Sequence, residues 1–190
     1  TEHMVGVMDL NDERSWLRQL DYYAYLHAEL DRNLQGILDV LDELGIYDDT
    51  VIAYTSDHGD ACGSHGLRAK LPCVYEEVMG VPLIMKVPGV TQAGTETDAL
   101  ATHVDLATTL CALGGVDIDD APTLSGVDLS PALADPSASP RDYVFFSQDA
   151  AQSDLIANTR YAVRGFFDGE TKYARYYGIG GGVDRAGNVD

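Results

Sequence analysis

Val51-Ile52-Ala53-Tyr54-Thr55, running directly into Ser56-Asp57-His58-Gly59-Asp60, is the stretch on which the fold and the chemistry both turn. The first five residues are a short run of β-branched and aromatic side chains, entered through the turn formers Asp48 and Asp49 and left through Gly59. Such a run predicts a strand buried on both faces, as in a parallel sheet. A carboxylate and an imidazole follow side by side at its C-terminal end, where ligands bind in open α/β sheets. Asp57 and His58 also make a chemically sensible metal pair, a hard oxygen beside a borderline nitrogen. On their own the two residues admit a plainer account, in which Asp57 caps the next turn and His58 is a satisfied, partly buried histidine.

Upstream, Leu17, Leu20, Ala24, His27, Leu30, Leu34, Ile37, Leu41 and Leu44 recur every three or four positions, which predicts an amphipathic helix over residues 12–44. Asn11 or Asp12 caps its start and Gly45 its end. His27 lies on the apolar stripe and reads as a core histidine. Downstream, residues 59–72 form a Gly-rich loop, 72–79 hold a short helix, and Val81 to Val87 is a second strand closed by Pro88-Gly89. Thr102 with Asp105 has the spacing of a capping box and opens a helix to Leu113, with Val104, Ala107, Thr108 and Cys111 on its inner face. Ser130-Pro131 reads as the cap and first turn of a short helix. Beyond residue 140 the pattern turns to β, with strands at 143–146, 160–167 and 171–177 and a hairpin turn at Asp168-Gly169. The expected organisation is an α/β core over residues 1–140, an antiparallel segment over 141–177, and a loose Gly-rich tail over 178–190.

Composition narrows the function classes. A chain of 190 residues fits one domain, and no apolar run approaches the roughly 18 residues of a membrane span. There are 31 acidic and 12 basic residues, a formal net charge of −19, with Lys70, Lys86 and Lys172 the only lysines. So negative a surface repels nucleic acid and anionic membranes and suggests adaptation to high salt. Cys62, Cys73 and Cys111 are odd in number and lack CxxC spacing, which favours buried free thiols in a reducing, cytoplasmic setting. Thr1 to Met4 do not read as a natural N-terminus.

Thr55-Ser56-Asp57-His58-Gly59-Asp60, Gly63-Ser64-His65-Gly66-Leu67, Lys70, Tyr75-Glu76-Glu77 and Val81-Pro82-Leu83-Ile84 together resemble the sulfatase family of the alkaline-phosphatase-like superfamily, which includes arylsulfatases and phosphonate monoester hydrolases. The similarity extends upstream through Leu44-Gly45-Ile46-Tyr47-Asp48-Asp49-Thr50 and downstream through His103-Val104-Asp105-Leu106-Ala107-Thr108-Thr109-Leu110 and Leu124-Ser125-Gly126-Val127-Asp128-Leu129, spanning roughly residues 20–175. The resemblance implies a partial alkaline-phosphatase-like sheet flanked by helices, and hydrolysis of a small-molecule sulfate or phosphate ester with the help of a divalent metal. Calcium is the family expectation, with manganese or zinc for phosphoesterase relatives. It places Asp57 among the metal ligands, His58 as a ligand or a substrate contact beside the metal, and Lys70 on the sulfate oxygens as a point charge.

The departures are as informative. In the family the nucleophile is a formylglycine made from Cys or Ser in Cys/Ser-x-Pro-x-Arg, and these 190 residues contain no such motif. Cys62 is followed by Gly-Ser-His and Cys73 by Val-Tyr-Glu, and Ser137 and Ser139 stand at the wrong spacing from Pro140-Arg141. The family's N-terminal metal aspartates are also absent. The resemblance therefore implies the C-terminal part of such an enzyme, inactive alone. Other accounts stay open at this point: a phosphodiester or phosphonate hydrolase, a non-catalytic binding module, an acidic structural protein, or a zinc site from His58, Cys62 and His65. His65 reads as a loop-shaping residue, Glu76 and Glu77 as carboxylates that can orient Lys70, His103 as structural or a minor metal candidate, and Arg160 and Arg164 as surface ion-pair residues.

Overall fold

A computed structural model describes residues 12–67, 70, 73–117, 123–150 and 161–177. Arg160 and the Gly-rich stretch 178–190 lie outside them. The chain divides into two units, residues 1–88 and 89–190.

The first unit opens with helix α1, Glu13–Glu43. Asp12 is its N-cap and accepts from the Ser15 N–H at 3.3 Å. The Ser15 hydroxyl and amide hold the Asp12 carboxyl below its ordinary range. At the other end Gly45 adopts φ +67°, its N–H donates to Asp42 O at 2.8 Å, and Ile46 N–H donates to Leu41 O at 3.0 Å. That is a Schellman termination, and the left-handed backbone explains the glycine.

The apolar stripe is less buried than the sequence suggests. No residue of α1 is fully buried, and Leu17, Ile37 and Leu44 are more than half exposed. A strict three-four spacing sustained over eight turns drifts around a straight helix, so one neighbour cannot cover all of it. His27 is accordingly not a core histidine. It is exposed, its Nδ1 lies 2.9 Å from Tyr23 O, and its ring tilts against Tyr23 at 4.3 Å. Its own helix holds it, at the mouth of a groove of about 460 Å³ that Leu34 and Leu38 share with the strands.

Strand β1, Ile52–Thr55, pairs with β2, Leu83–Lys86. The pairing is antiparallel, with Ile52 opposite Lys86 and Thr55 opposite Leu83. This corrects the expectation of a parallel, doubly buried strand. A parallel pair needs a crossover element between its strands. Among the described residues, the stretch 56–82 supplies only a 3-10 turn at Ser64–Gly66 and the one-turn helix α2, Glu76–Met79. Burial is partial, with Ala53 and Ile84 exposed. Lys86 ties the connection before β1 to the sheet: its ammonium donates to Tyr47 O at 2.6 Å and Thr50 O at 3.3 Å and lies 4.4 Å from the centre of the Tyr47 ring.

In the second unit, helix α3 runs His103–Leu113 and the short helix α4 Ser130–Ala134. The inner face of α3 differs from the expected one. Thr108 is buried and Cys111 partly so, as expected, but Val104 and Ala107 are exposed and Asp105 and Thr109 are buried. The buried polar groups serve a backbone that has no ladder of its own. Asp105 accepts from Thr102 N at 2.8 Å and Val127 N at 2.9 Å and pairs with Arg141, and Thr109 Oγ1 accepts from Leu129 N at 3.0 Å. The segment before α4 is thus held by side chains of α3, as buried amides require. The N-cap of α4 is Leu129, one residue before the expected Ser130, and Asp128 accepts from Ser130 N and Oγ.

Strands β3 (Val144–Ala150), β4 (Tyr161–Phe167) and β5 (Lys172–Tyr177) form an antiparallel sheet in the order β3-β4-β5. Gly169 takes φ +94° in the β4–β5 turn, and Asp168 Oδ1 accepts from Glu170 N and Thr171 N, as the Asp-Gly pair predicts. Val163 is the most buried apolar side chain of this sheet. Among the described residues no helix is long and apolar enough to cross a membrane.

Candidate functional site

The strand-end pair sits where the sequence puts it, immediately after β1. Asp57 turns its Oδ1 to the His58 N–H at 3.0 Å, and its side chain remains largely exposed. His58 is half-buried, with Nδ1 2.8 Å from Gly59 O. A carbonyl can only accept, so Nδ1 carries a proton, and in the neutral ring Nε2 bears the lone pair. That lone pair lies 3.4 Å from Asp57 Oδ2. Two lone-pair donors this close repel unless a cation, a proton or a metal ion, lies between or beside them. The donor set therefore fits a divalent ion, as one oxygen and one nitrogen of its shell. Among the described residues no third His, Cys, Asp or Glu completes a cluster.

The loop behind the pair is rigidly specified. Gly59 N–H donates to Val78 O at 2.9 Å, and a Cβ at Gly59 falls far inside van der Waals contact with the carbonyl of Glu77. Gly63 lies against the Trp16 ring of α1. Cys62 and His65 hold left-handed backbone, φ +46° and +58°, which is uncommon for residues with a side chain and collects at functional loops. Asp60 Oδ1 accepts from Cys62 N at 2.8 Å and sustains the first of these turns. His65 stacks on Tyr75 at 3.8 Å with its Nε2 3.4 Å from Glu77 Oε2. Glu77, its carboxyl held below the ordinary range by its own backbone N–H together with Ser64 and His65, thus serves the loop.

We expect Gly59→Ala to destabilise the first unit by about 1–3 kcal/mol through overpacking against the α2 backbone. The check is a denaturant titration, with Gly36→Ala as control because a Cβ there meets nothing within 4 Å.

The alternative zinc trio is not assembled. His58 faces Asp57 and His65 faces Glu77. Burial and then the neighbouring Asp60 push the metal-free Cys62 thiol up to about 11, so at neutral pH it is protonated and not an activated nucleophile. All three cysteines are free. Lys70 is exposed beyond the loop, between residues outside the described set. His103 is the first residue of α3 and belongs to the second unit. Arg164 pairs with Asp149 at 2.6 Å, as a surface ion pair. Two features had no clear signal in the sequence: the His65–Tyr75–Glu77 clamp and the close approach of Gly59 to α2. A glycine directly after a strand-end His was the only available hint of the second.

The fold and strand-end site define an α/β protein of the alkaline-phosphatase-like class. The solved structure of a 2-O GAG sulfatase superposes with a TM-score of 0.66 at 26% identity, over 77% of this chain and 31% of that one. The phosphonate monoester hydrolase of Agrobacterium radiobacter does so with a TM-score of 0.58 at 25% identity, over 80% and 33%. The chain belongs to the sulfatase family: the Sulfatase family model matches residues 4–116, and the model described as N-sulphoglucosamine sulphohydrolase, C-terminal, matches residues 63–178. The N-acetylglucosamine-6-O-sulfatase of Bacteroides thetaiotaomicron is 35% identical over 123 residues, which are 65% of this chain and 21% of the relative. The chain thus spans about a fifth of the length of that relative.

Proposed function

We propose that this chain is part of a sulfuric ester hydrolase in which Asp57 and His58 bind a divalent metal and Lys70 contacts the sulfate oxygens. The observation that carries the reading is the Asp57–His58 pair itself, with Nδ1 tied back to Gly59 O and Nε2 presented beside Asp57 Oδ2 at 3.4 Å. A metal held there, calcium by family expectation and manganese or zinc otherwise, supplies positive charge against the ester's non-bridging oxygens. The chain's own contribution is to fix the imidazole tautomer, to lock the loop through Gly59 and the His65 clamp, and to present Lys70 as a point charge. The formylglycine nucleophile and the remaining ligands belong to sequence outside these 190 residues. The three regions 1–140, 141–177 and 178–190 remain our reading of its domain organisation.

A phosphodiester or phosphonate monoester is the second reading, favoured by the likeness to the phosphonate monoester hydrolase. The test is hydrolysis of an aryl sulfate against an aryl phosphonate by the complete gene product and its Lys70→Ala variant. The sulfate reading requires preference for the sulfate ester and loss of that activity in the variant. Preference for the phosphonate selects the second. The 190 residues alone are expected to hydrolyse neither, and turnover of aryl sulfate by them overturns the account.

The net charge of −19 supports adaptation to high salt. Raising KCl from about 0.1 M to about 3 M shortens the Debye length from roughly 10 Å to well under 3 Å and removes most self-repulsion. The midpoint of thermal unfolding should then rise by about 5 °C, the shift that about 1–2 kcal/mol produces in a chain of this size. Equal midpoints at the two salt concentrations would falsify this. The free thiols suit a reducing, cytoplasmic compartment.

A further inference from the structure

The strands β3, β4 and β5 carry three cations, Arg164, Lys172 and Arg175, and a single carboxylate, Asp149. That balance is reversed from the rest of a chain with 31 acidic and 12 basic residues. The register sorts the side chains into rows. Phe145, Phe166 and Tyr173 stand opposite one another across the three strands, and two residues further along stand Ser147, Arg164 and Arg175. Cross-strand partners and i, i+2 neighbours share a face, so both rows lie on one side of the sheet. Phe145 is 68% and Tyr173 55% exposed, Phe166 lies half-buried between them, and a shallow depression of about 560 Å³ covers the two rows.

This face has two unmet demands. Like charges directly opposite in an antiparallel pair destabilise it, and Arg164 faces Arg175. Asp149 relieves Arg164 at 2.6 Å, while Arg175 lies over the Tyr177 ring at 4.9 Å and pairs with no carboxylate among the described residues. The aromatic row is an exposed apolar platform beside that unneutralised charge.

We propose that this face binds a sulfated saccharide, with a pyranose ring on the Phe145–Phe166–Tyr173 row and a sulfate group on the Arg164–Arg175 pair. A two-residue step along a strand is about 6.8 Å, close to the reach of an exocyclic sulfate from the centre of its sugar ring. Aromatic faces take the apolar C–H side of a pyranose, and guanidinium forks match the oxyanion bidentately. The aromatic rings are packed together, with 5.9 Å between the centres of Phe166 and Tyr173 and 5.0 Å between Tyr143 and Phe145. Within each of these two pairs the rings leave no slot for a base. A nucleic acid would also bring one phosphate per nucleotide to a strongly acidic chain that offers it one arginine pair. The choice of sulfate rests on the ester-hydrolase reading above; the location of the face does not.

The test is titration of the 190-residue chain with a size-defined, N- and O-sulfated glucosamine-containing tetrasaccharide, followed by calorimetry and by amide chemical shifts of β3–β5. Saturable binding is expected. Arg175→Gln and Arg164→Gln should each weaken it about tenfold, as loss of one charge-assisted pair implies, and Tyr173→Ala comparably. Arg175→Lys, which keeps the charge and the fold, should recover part of the loss. The desulfated tetrasaccharide should bind at least about tenfold more weakly, and Gly36→Ala, where an added Cβ meets nothing within 4 Å, should leave binding unchanged. The proposal is overturned by absent saturation, by equal affinity for the desulfated sugar, by undiminished binding in both Gln variants, or by equally tight binding of a single-stranded oligonucleotide of matching length. Binding that persists where the complete gene product hydrolyses no sulfate ester overturns the catalytic reading alone. Hydrolysis without binding at β3–β5 overturns this one alone.

Discussion

Asp105→Ala is expected to cost the second unit about 3–5 kcal/mol, the range for removing one partner of a buried, hydrogen-bonded charge pair. Asp105 has no exposed surface, and its two oxygens serve three donors: the Thr102 amide, the Val127 amide and the Arg141 guanidinium. Alanine leaves all three unsatisfied. The Arg141 side chain is itself 15% exposed, and its Nε already lacks a partner among the described residues. The variant therefore strands a buried cation as well as two amides, and each such orphan carries a desolvation penalty. Asp105→Asn keeps the shape and accepts through one oxygen, so its loss should be smaller but still measurable. The Val127 amide gives the local readout: its hydrogen exchange should accelerate sharply in Asp105→Ala, together with a lower denaturation midpoint. A midpoint within about 0.5 kcal/mol of the parent's, the range of ordinary surface changes, would mean that Asp105 is not the hub we take it for.

The same residue shows where the sequence was readable. Thr102 and Asp105 announced a capping box, and the box forms. Nothing local announced that the same carboxylate reaches Val127 and Arg141, which are distant in the chain. Apolar spacing nominated Val104 and Ala107 as the inner face of α3, whereas polar service to a ladderless segment decided it. Element existence and type followed the pattern closely for α1, β1, β2 and the β4–β5 hairpin, because periodicity and turn chemistry are local. Strand direction did not, since a buried apolar run reads alike in parallel and antiparallel pairs, and only the connection between β1 and β2 distinguishes them. At the candidate site, the placement of Asp57 and His58 at a strand end was legible from five apolar residues. The tautomer of His58 and the αL turns at Cys62 and His65 depend on a loop conformation that no residue pattern announces, the clamp onto Tyr75 and Glu77 on residues further along the chain, and none of these was legible.

In the complete gene product, Lys70→Ala should lower kcat/KM for an aryl sulfate by about 10²–10³-fold, the typical consequence of removing one preorganised group that meets charge developing on the transferred group. A lysine is a compact charge on a flexible stem, so on the proposed reading Lys70→Arg should recover only part of the loss: the charge returns but the planar fork and its length do not match the same position. Asp57→Asn should act differently. It keeps an oxygen at the strand end but removes the negative charge that offsets a divalent cation, so metal affinity should fall before the chemical step does. Activity of the Asp57→Asn enzyme should then recover in part at high metal concentration, while that of Lys70→Ala should not respond to metal. This split is informative because a merely structural role predicts neither pattern: a misfolded loop loses both metal affinity and turnover in both variants, and no metal concentration separates them. Wild-type metal affinity in Asp57→Asn, or undiminished turnover in Lys70→Ala, would remove that residue from the site and leave the strand-end pair to the plainer account of a turn cap and a satisfied histidine.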